Sequence, residues 1–136
     1  MSASILVVED YDPDYEAAAR GFRRIGVTYP LVRCRDGEEA LTFVQTEKPA
    51  LVFLDLNLPG IDGLEVLRTM KSDPDLKTVP VVVWSSNGRE EKIAEAYAIG
   101  ANSYLNKRMS PADLFEDLKV IVHYWLRTVR LPGLAA

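Results

Sequence analysis

A single cysteine, Cys34, and a single histidine, His123, occur in 136 residues. One thiol leaves no partner for an internal disulfide and fits a reducing compartment, so a cytoplasmic location is expected. One His and one Cys also argue against a zinc site built within the chain. No apolar run approaches the ~20 residues that span a bilayer, so no membrane contact is expected. The amino terminus, Met1-Ser2-Ala3-Ser4-Ile5, lacks the basic stretch of a signal peptide. Basic charge is in deficit: 16 Lys and Arg stand against 20 Asp and Glu, a net charge of -4. That balance argues against a nucleic-acid-binding surface. No glycine-rich phosphate loop with its lysine is present, nor any internal repeat, linker or low-complexity tract.

What is present is a chain of one-domain length with 48% hydrophobic and 26% charged residues, a globular composition. Ile5-Leu6-Val7-Val8 is a short apolar run ending in Glu9-Asp10. Asp12 and Pro13 then read as the cap and first residue of a helix, with Tyr15, Ala18, Ala19, Phe22 and Ile25 on one face and Gly26 as its stop. Tyr29 to Cys34 reads as a second strand, followed by a helix facing inward through Ala40, Leu41 and Val44. Leu51-Val52-Phe53-Leu54 is a third strand, with Asp55 at its end and Pro59, Gly60 and Gly63 in the loop beyond. A helix bearing Val66, Leu67 and Met70 comes next, then Val79 to Trp84 as a fourth strand. A helix over Arg89 to Ile99, a brief strand at Ser103-Tyr104-Leu105, and a last helix capped by Ser110 and running past Trp125 complete the chain. Alternation of strand and helix about five times is the rhythm of a parallel βαβ sheet with helices on both faces.

The strand ends carry the chemistry. Buried parallel strands have no use for charge, yet Glu9, Asp10, Asp55, Ser85 and Lys107 all stand where such strands stop. In an open α/β sheet these ends share one edge, so distant segments converge there. Singly, each residue reads as a strand-end or loop residue; together they do not. Gathered carboxylates need a cation, and oxygen-only ligands beside a phosphate suit Mg²⁺. Asp55 is then the nucleophile, because an aspartate can form an acyl phosphate. Lys107 is placed to neutralise a phosphate oxygen and Ser85 to hydrogen-bond one.

From about Ser4 to Leu126 the chain resembles the receiver domain of two-component response regulators. The resemblance is carried by Val8-Glu9-Asp10, by Asp55-Leu56-Asn57-Leu58-Pro59-Gly60-Ile61-Asp62-Gly63, by Ser85-Ser86 and by Tyr104-Leu105-Asn106-Lys107. It implies a flavodoxin-like five-stranded parallel sheet of order 2-1-3-4-5 and phosphotransfer from a histidine kinase to Asp55. It further implies Mg²⁺ held by Asp10, Asp55 and the backbone carbonyl of Asn57, with Glu9 acting through a water. A switch is implied in which Ser85 moves to the phosphate and Tyr104 swings inward. Asn57 and Asn87 are placed to tune the water that hydrolyses the acyl phosphate. Most receivers have proline after the lysine, in a cis peptide, where this chain has Arg108. That departure, with the tail from Tyr124 to Pro132, is similar to the small response regulators that partner bacterial phytochromes.

One receiver domain over residues 1–136, with an extended last helix and a tail from about 124, is therefore expected, with no output domain. Leu114, Leu118, Ile121, Val122, Trp125 and Val129 form a stripe that can cover the sheet, and Phe115, Val120, Tyr124 and Leu126 widen it beyond that need. Such surplus apolar surface points to a homodimer through Tyr124, Trp125, Val129 and Leu131. His123 is expected at the surface. The alternative reading is a pseudo-receiver that acts as an interaction module without phosphorylation. A flavin or nucleotide binder on the same fold is a further rival, one that lacks a supporting loop.

Overall fold

Four of the five strands begin just after a proline, or one residue beyond it, or in a run of Val, Leu and Ile that cannot stay in water. In a computed structural model, which describes residues 3–133, β1 spans Ile5–Val8, β2 Leu31–Cys34, β3 Leu51–Leu54, β4 Val81–Ser85 and β5 Ser103–Asn106. They form one parallel sheet of order β2-β1-β3-β4-β5, the expected architecture. Central strands β1, β3 and β4 are buried along their whole length, as their unbroken apolar runs require.

Helices α1 (Asp12–Ile25) and α5 (Pro111–His123) cover one face of the sheet; α2 (Gly37–Thr46), α3 (Gly63–Ser72) and α4 (Glu90–Ile99) cover the other. On the α1/α5 side Ala18, Phe22, Leu114, Leu118 and Val122 pack on Ile5, Val7, Phe53, Val82 and Trp84, with Phe22 and Phe53 edge to face at 5.4 Å. Opposite them, Leu67, Met70, Val44 and Ala96 meet Leu6, Val8, Val52, Leu54 and Val83.

Several boundaries differ from the sequence reading. Helix α1 is entered through Tyr11, and Asp12 is inside its first turn, where it pairs with Arg33 and Arg35 instead of capping. Both arginines hold the Asp12 carboxyl below its ordinary pKa. Strand β4 begins at Val81 rather than Val79, because Pro80 offers no N–H and the Val79 carbonyl is taken by the Lys71 ammonium. Asn102 accepts from both the Val81 N–H and Lys71. Burial holds the Lys71 ammonium below its ordinary pKa. Capping by Asp36, Asp62 and Ser110 begins α2, α3 and α5.

Beyond His123 the last helix widens into a π-helical turn, Tyr124–Thr128. Trp125 and Leu126 are half-buried against the α1/α5 core, Val129 is half-buried, and His123 is exposed. Val120 and Tyr124 remain 64% and 49% exposed. Leu131 and Pro132 lie at the amino ends of the strands, where with Val32, Phe43, Pro49 and Val79 they line a cavity of about 370 Å³. On the open edge of β5, the Tyr104 N–H donates to the Tyr97 hydroxyl at 3.0 Å.

Candidate functional site

The backbone ladder itself assembles the site. Glu9 N–H donates to the Cys34 carbonyl, Asp55 N–H to Val8, and Lys107 N–H to Ser85. These bonds step from strand to strand across the carboxyl edge, so the first residue past each strand is locked beside its neighbour. Ser85 ends β4, opposite Asn106 of β5. Gly63 is required by a close approach: a Cβ there would sit 2.3 Å from the Asp55 carbonyl oxygen and 2.6 Å from the Leu56 Cα. The loop after Asp55 therefore folds back tightly on its own strand. Gly60 instead takes a left-handed backbone, φ 72°.

Lys107 lies at the centre of charge. Its ammonium is 2.7 Å from Glu9 Oε1, 2.9 Å from Asp14 Oδ2 and 3.3 Å from Asp55 Oδ2. It also stands 5.0 Å over the Trp84 ring, a cation–π contact. Burial alone would pull its pKa down, but Glu9, Asp14 and Asp55 outweigh that and hold it well above the ordinary lysine value. Glu9 is fully buried and Asp55 only 4% exposed. Burial, reinforced by the Asp55 charge, pushes the Glu9 carboxyl up to about 7 against the pull of Lys107. Its Oε2 accepts the Tyr11 N–H at 3.1 Å.

Glu9, Asp10 and Asp55 each offer a carboxylate oxygen within 4.8 Å of the others. One ammonium does not neutralise these three carboxylates. All-oxygen donors with surplus negative charge fit a hard divalent cation. A pH dependence follows. The Glu9 pKa in the fold lies above its unfolded value of 4.5, so the native state binds more protons between the two and metal-free stability falls as pH rises through that window. Ionising Glu9 favours a cation. Divalent affinity, followed by calorimetry, is expected to rise roughly tenfold from about pH 6 to about pH 8, one unit either side of the Glu9 value. Glu9→Gln should flatten the profile.

The other residues singled out from sequence take distinct places. Ser85 is buried, and its Oγ accepts the Asn87 N–H at 3.1 Å. Asn57 is exposed and its N–H donates to Asp55 Oδ1 at 3.2 Å. The Asn87 side chain accepts from the Arg89 N–H, and its carbonyl accepts the Tyr104 hydroxyl. Tyr104 is half-buried, and its phenol pKa is raised by burial, with Asp55 adding and Ser85 opposing. No cis peptide occurs among the described residues, so Lys107-Arg108 is trans. Arg108 reaches α5 instead, 3.1 Å from Asp117 and 3.8 Å from Asp113.

Sequence reasoning missed two participants, Asp14 and Arg33. Asp14 supplies the third carboxylate on Lys107. Arg33 donates from Nε to the Glu9 carbonyl at 3.0 Å, pairs with Asp12 at 2.8 Å and stacks on Tyr15, bracing the acidic loop. Trp84 forms the floor under the ammonium. A carboxylate one turn into α1, four residues past Asp10, was the available signal for Asp14.

A five-stranded parallel sheet with an acidic cluster, a buried aspartate and a lysine at its carboxyl edge defines a receiver. Residues 5–119 match the family model described as response regulator receiver domain, and the chain belongs to that family, the phosphoacceptor module of two-component signalling. It is similar to the response regulator Rcp1 of Synechocystis sp. (strain ATCC 27184 / PCC 6803 / Kazusa), 38% identical over 136 residues, covering 95% of this chain and 92% of Rcp1. The Mn²⁺-bound form of Rcp1 superposes with a TM-score of 0.89 at 37% identity, covering 96% of this chain and 99% of that one. The phosphorylated cyanobacterial phytochrome response regulator RcpA gives 0.91 at 37% identity, over 98% and 100% of the two chains. A response regulator in red light signaling of R. palustris, RPA3017, gives 0.89 at 32% identity, over 97% and 99%.

Proposed function

We propose that this protein is a single-domain response regulator, residues 1–136, that accepts a phosphoryl group on Asp55 from a phosphohistidine of a histidine kinase. The observation that carries the reading is the buried Asp55 carboxylate, 3.3 Å from Lys107 and clustered with Glu9 and Asp10. An Asp55 carboxylate oxygen attacks phosphorus, the P–N bond breaks, and the electron pair stays on the imidazole nitrogen. Lys107 neutralises charge on the transferred group, and the Ser85 hydroxyl donates to one of its oxygens. Water later attacks phosphorus, releasing inorganic phosphate and restoring the carboxylate, with Asn57 and Asn87 tuning its access. Asp10, Asp55 and the Asn57 carbonyl, with Glu9 through a water, would hold Mg²⁺, which would supply positive charge to offset that of the transferred group. The Tyr104 hydroxyl, bound to the Asn87 carbonyl, ties the switch aromatic to the loop after β4, so a shift of Ser85 toward the phosphate carries Tyr104 with it.

Similarity to RcpA and to RPA3017 supports a bacteriophytochrome as the kinase. The Arg108 bridge to Asp117 is compatible with that small subfamily's lack of the usual proline. The chain accelerates its own phosphorylation and dephosphorylation and turns over no external substrate. No helix among the described residues is long and apolar enough to cross a membrane, which supports a cytoplasmic place for the relay.

Incubation with acetyl phosphate and Mg²⁺, followed by intact mass, tests the reading. A phosphoryl adduct is expected, and its absence with every donor would leave a phosphorylation-independent interaction module. For the homodimer through Tyr124, Trp125, Val129 and Leu131, exposed Tyr124 and Val120 are the supporting surface. Light scattering at micromolar concentration should give a dimer mass, and Tyr124→Glu should shift it to monomer by raising the dissociation constant about tenfold or more. A monomeric mass for the parent chain sinks the dimer.

A further inference from the structure

We propose that Asp14 is a positioning residue for phosphoryl capture, holding the Lys107 ammonium on the α1 side of the site and competing for it with the group on Asp55. This rests on the reading of Asp55 as the phosphoacceptor. An ammonium has three N–H donors, and three carboxylates already surround this one, at 2.7, 2.9 and 3.3 Å. A phosphoryl oxygen can engage Lys107 only if one of them yields. Glu9 is fully buried and its carboxylate pairs with no other cation among the described residues; losing Lys107 would leave it with neither water nor an ion-pair partner. Asp55 passes its own negative charge to the phosphoryl group when the new bond forms.

Asp14 differs from both. It lies outside the cluster of Glu9, Asp10 and Asp55, Lys107 is its single ion-pair partner among the described residues, and its side chain is 36% exposed. Water can take over its charge at the least cost, so Asp14 is the competitor whose hold on the lysine is most readily given up as the phosphoryl oxygen takes the place of the Asp55 carboxylate. Its strength as a competitor sets how readily the lysine crosses to the phosphoryl group. The Trp84 ring, 5.0 Å beneath the ammonium, senses where that charge stands.

The test uses the full chain with Trp125→Phe, which leaves Trp84 as the single tryptophan, and fluoroberyllate with Mg²⁺ as the phosphoryl mimic. Trp84 emission is followed through the titration, with Asp14 and with Asp14→Asn. The expected result has two parts. Asp14→Asn binds the mimic roughly two- to fivefold more tightly, the range for a partly exposed ion pair, and its free-state emission already lies toward the liganded value. Asp14→Ala repeats the measurement without an amide that could bond to Lys107. Unchanged or weaker affinity overturns the proposal. So does tighter binding with no change in free-state emission, since that would be through-space repulsion rather than release of the lysine. If the mimic does not bind even with Asp14 in place, the phosphoacceptor reading fails and takes the proposal with it. Binding to the Asp14 protein with no effect of substitution removes the proposal alone.

Discussion

Asp55→Asn should abolish the phosphoryl adduct completely, read by intact mass after exposure to acetyl phosphate and Mg²⁺. An amide oxygen is a poor nucleophile toward phosphorus, and no second carboxylate is similarly placed: Asp10 is exposed, Glu9 is paired with Lys107, and Asp14 lies on the far side of that ammonium. The variant should fold, because the amide still accepts from the Asn57 N–H as Oδ1 does now. Divalent affinity should fall by about tenfold or more with the loss of one of three carboxylates. The Glu9 carboxyl, raised partly by the Asp55 charge, should titrate below its present value of about 7. A residual adduct in Asp55→Asn would mean that another residue accepts the group.

Lys107→Met should damage both stability and transfer. It removes the one cation among three carboxylates while keeping the side-chain volume over Trp84. Breaking a buried pair by deleting one partner costs about 3–5 kcal/mol when the other stays charged, and fully buried Glu9 is that other partner. The Glu9 carboxyl will escape part of this by binding a proton. The loss in urea denaturation should therefore be greatest above the Glu9 value of about 7 and shrink as pH falls toward 4.5. The lysine pKa in the fold exceeds its unfolded value, so on the lysine side the contribution is undiminished below about pH 10.4 and is lost only above it, the decline below about pH 7 coming from Glu9. Mg²⁺ should restore part of the loss. Removing a charge that acts on the transferred group should slow phosphorylation by roughly 10²-fold. Equal stability of Lys107→Met and the parent chain at pH 8 would show that the cluster is neutralised in another way.

Much of the site was legible because parallel strands impose one geometry. Once Ile5–Val8, Leu51–Leu54, the Val-rich fourth run and Ser103–Leu105 read as parallel strands, Glu9, Asp10, Asp55, Ser85 and Lys107 had to share an edge. Partners contributed by helices were harder to read. Whether Asp14 reaches Lys107 depends on how α1 is rotated over the sheet, which is set by Ala18 and Phe22 packing on Ile5 and Phe53, and no local pattern encodes that. Asp12 looked like a cap because its type and the following Pro13 fit one, yet two arginines compete for its carboxylate. Arg33 and Trp84 lie on strands whose neighbours are known only after the order β2-β1-β3-β4-β5 is known. The π-helical turn at Tyr124–Thr128 left no mark in the apolar periodicity. Gly63 reads in the sequence only as a loop residue; its close contact with the Asp55 carbonyl shows in the fold alone.

The Tyr97 hydroxyl bound to the Tyr104 N–H has a bearing on how the protein keeps in solution. An open parallel strand is a template on which another chain can lay down a strand of its own. By occupying a donor in the middle of β5, Tyr97 denies an incoming backbone one rung of that template. Helix α4 thereby guards the β5 flank of the sheet against sheet-to-sheet accretion.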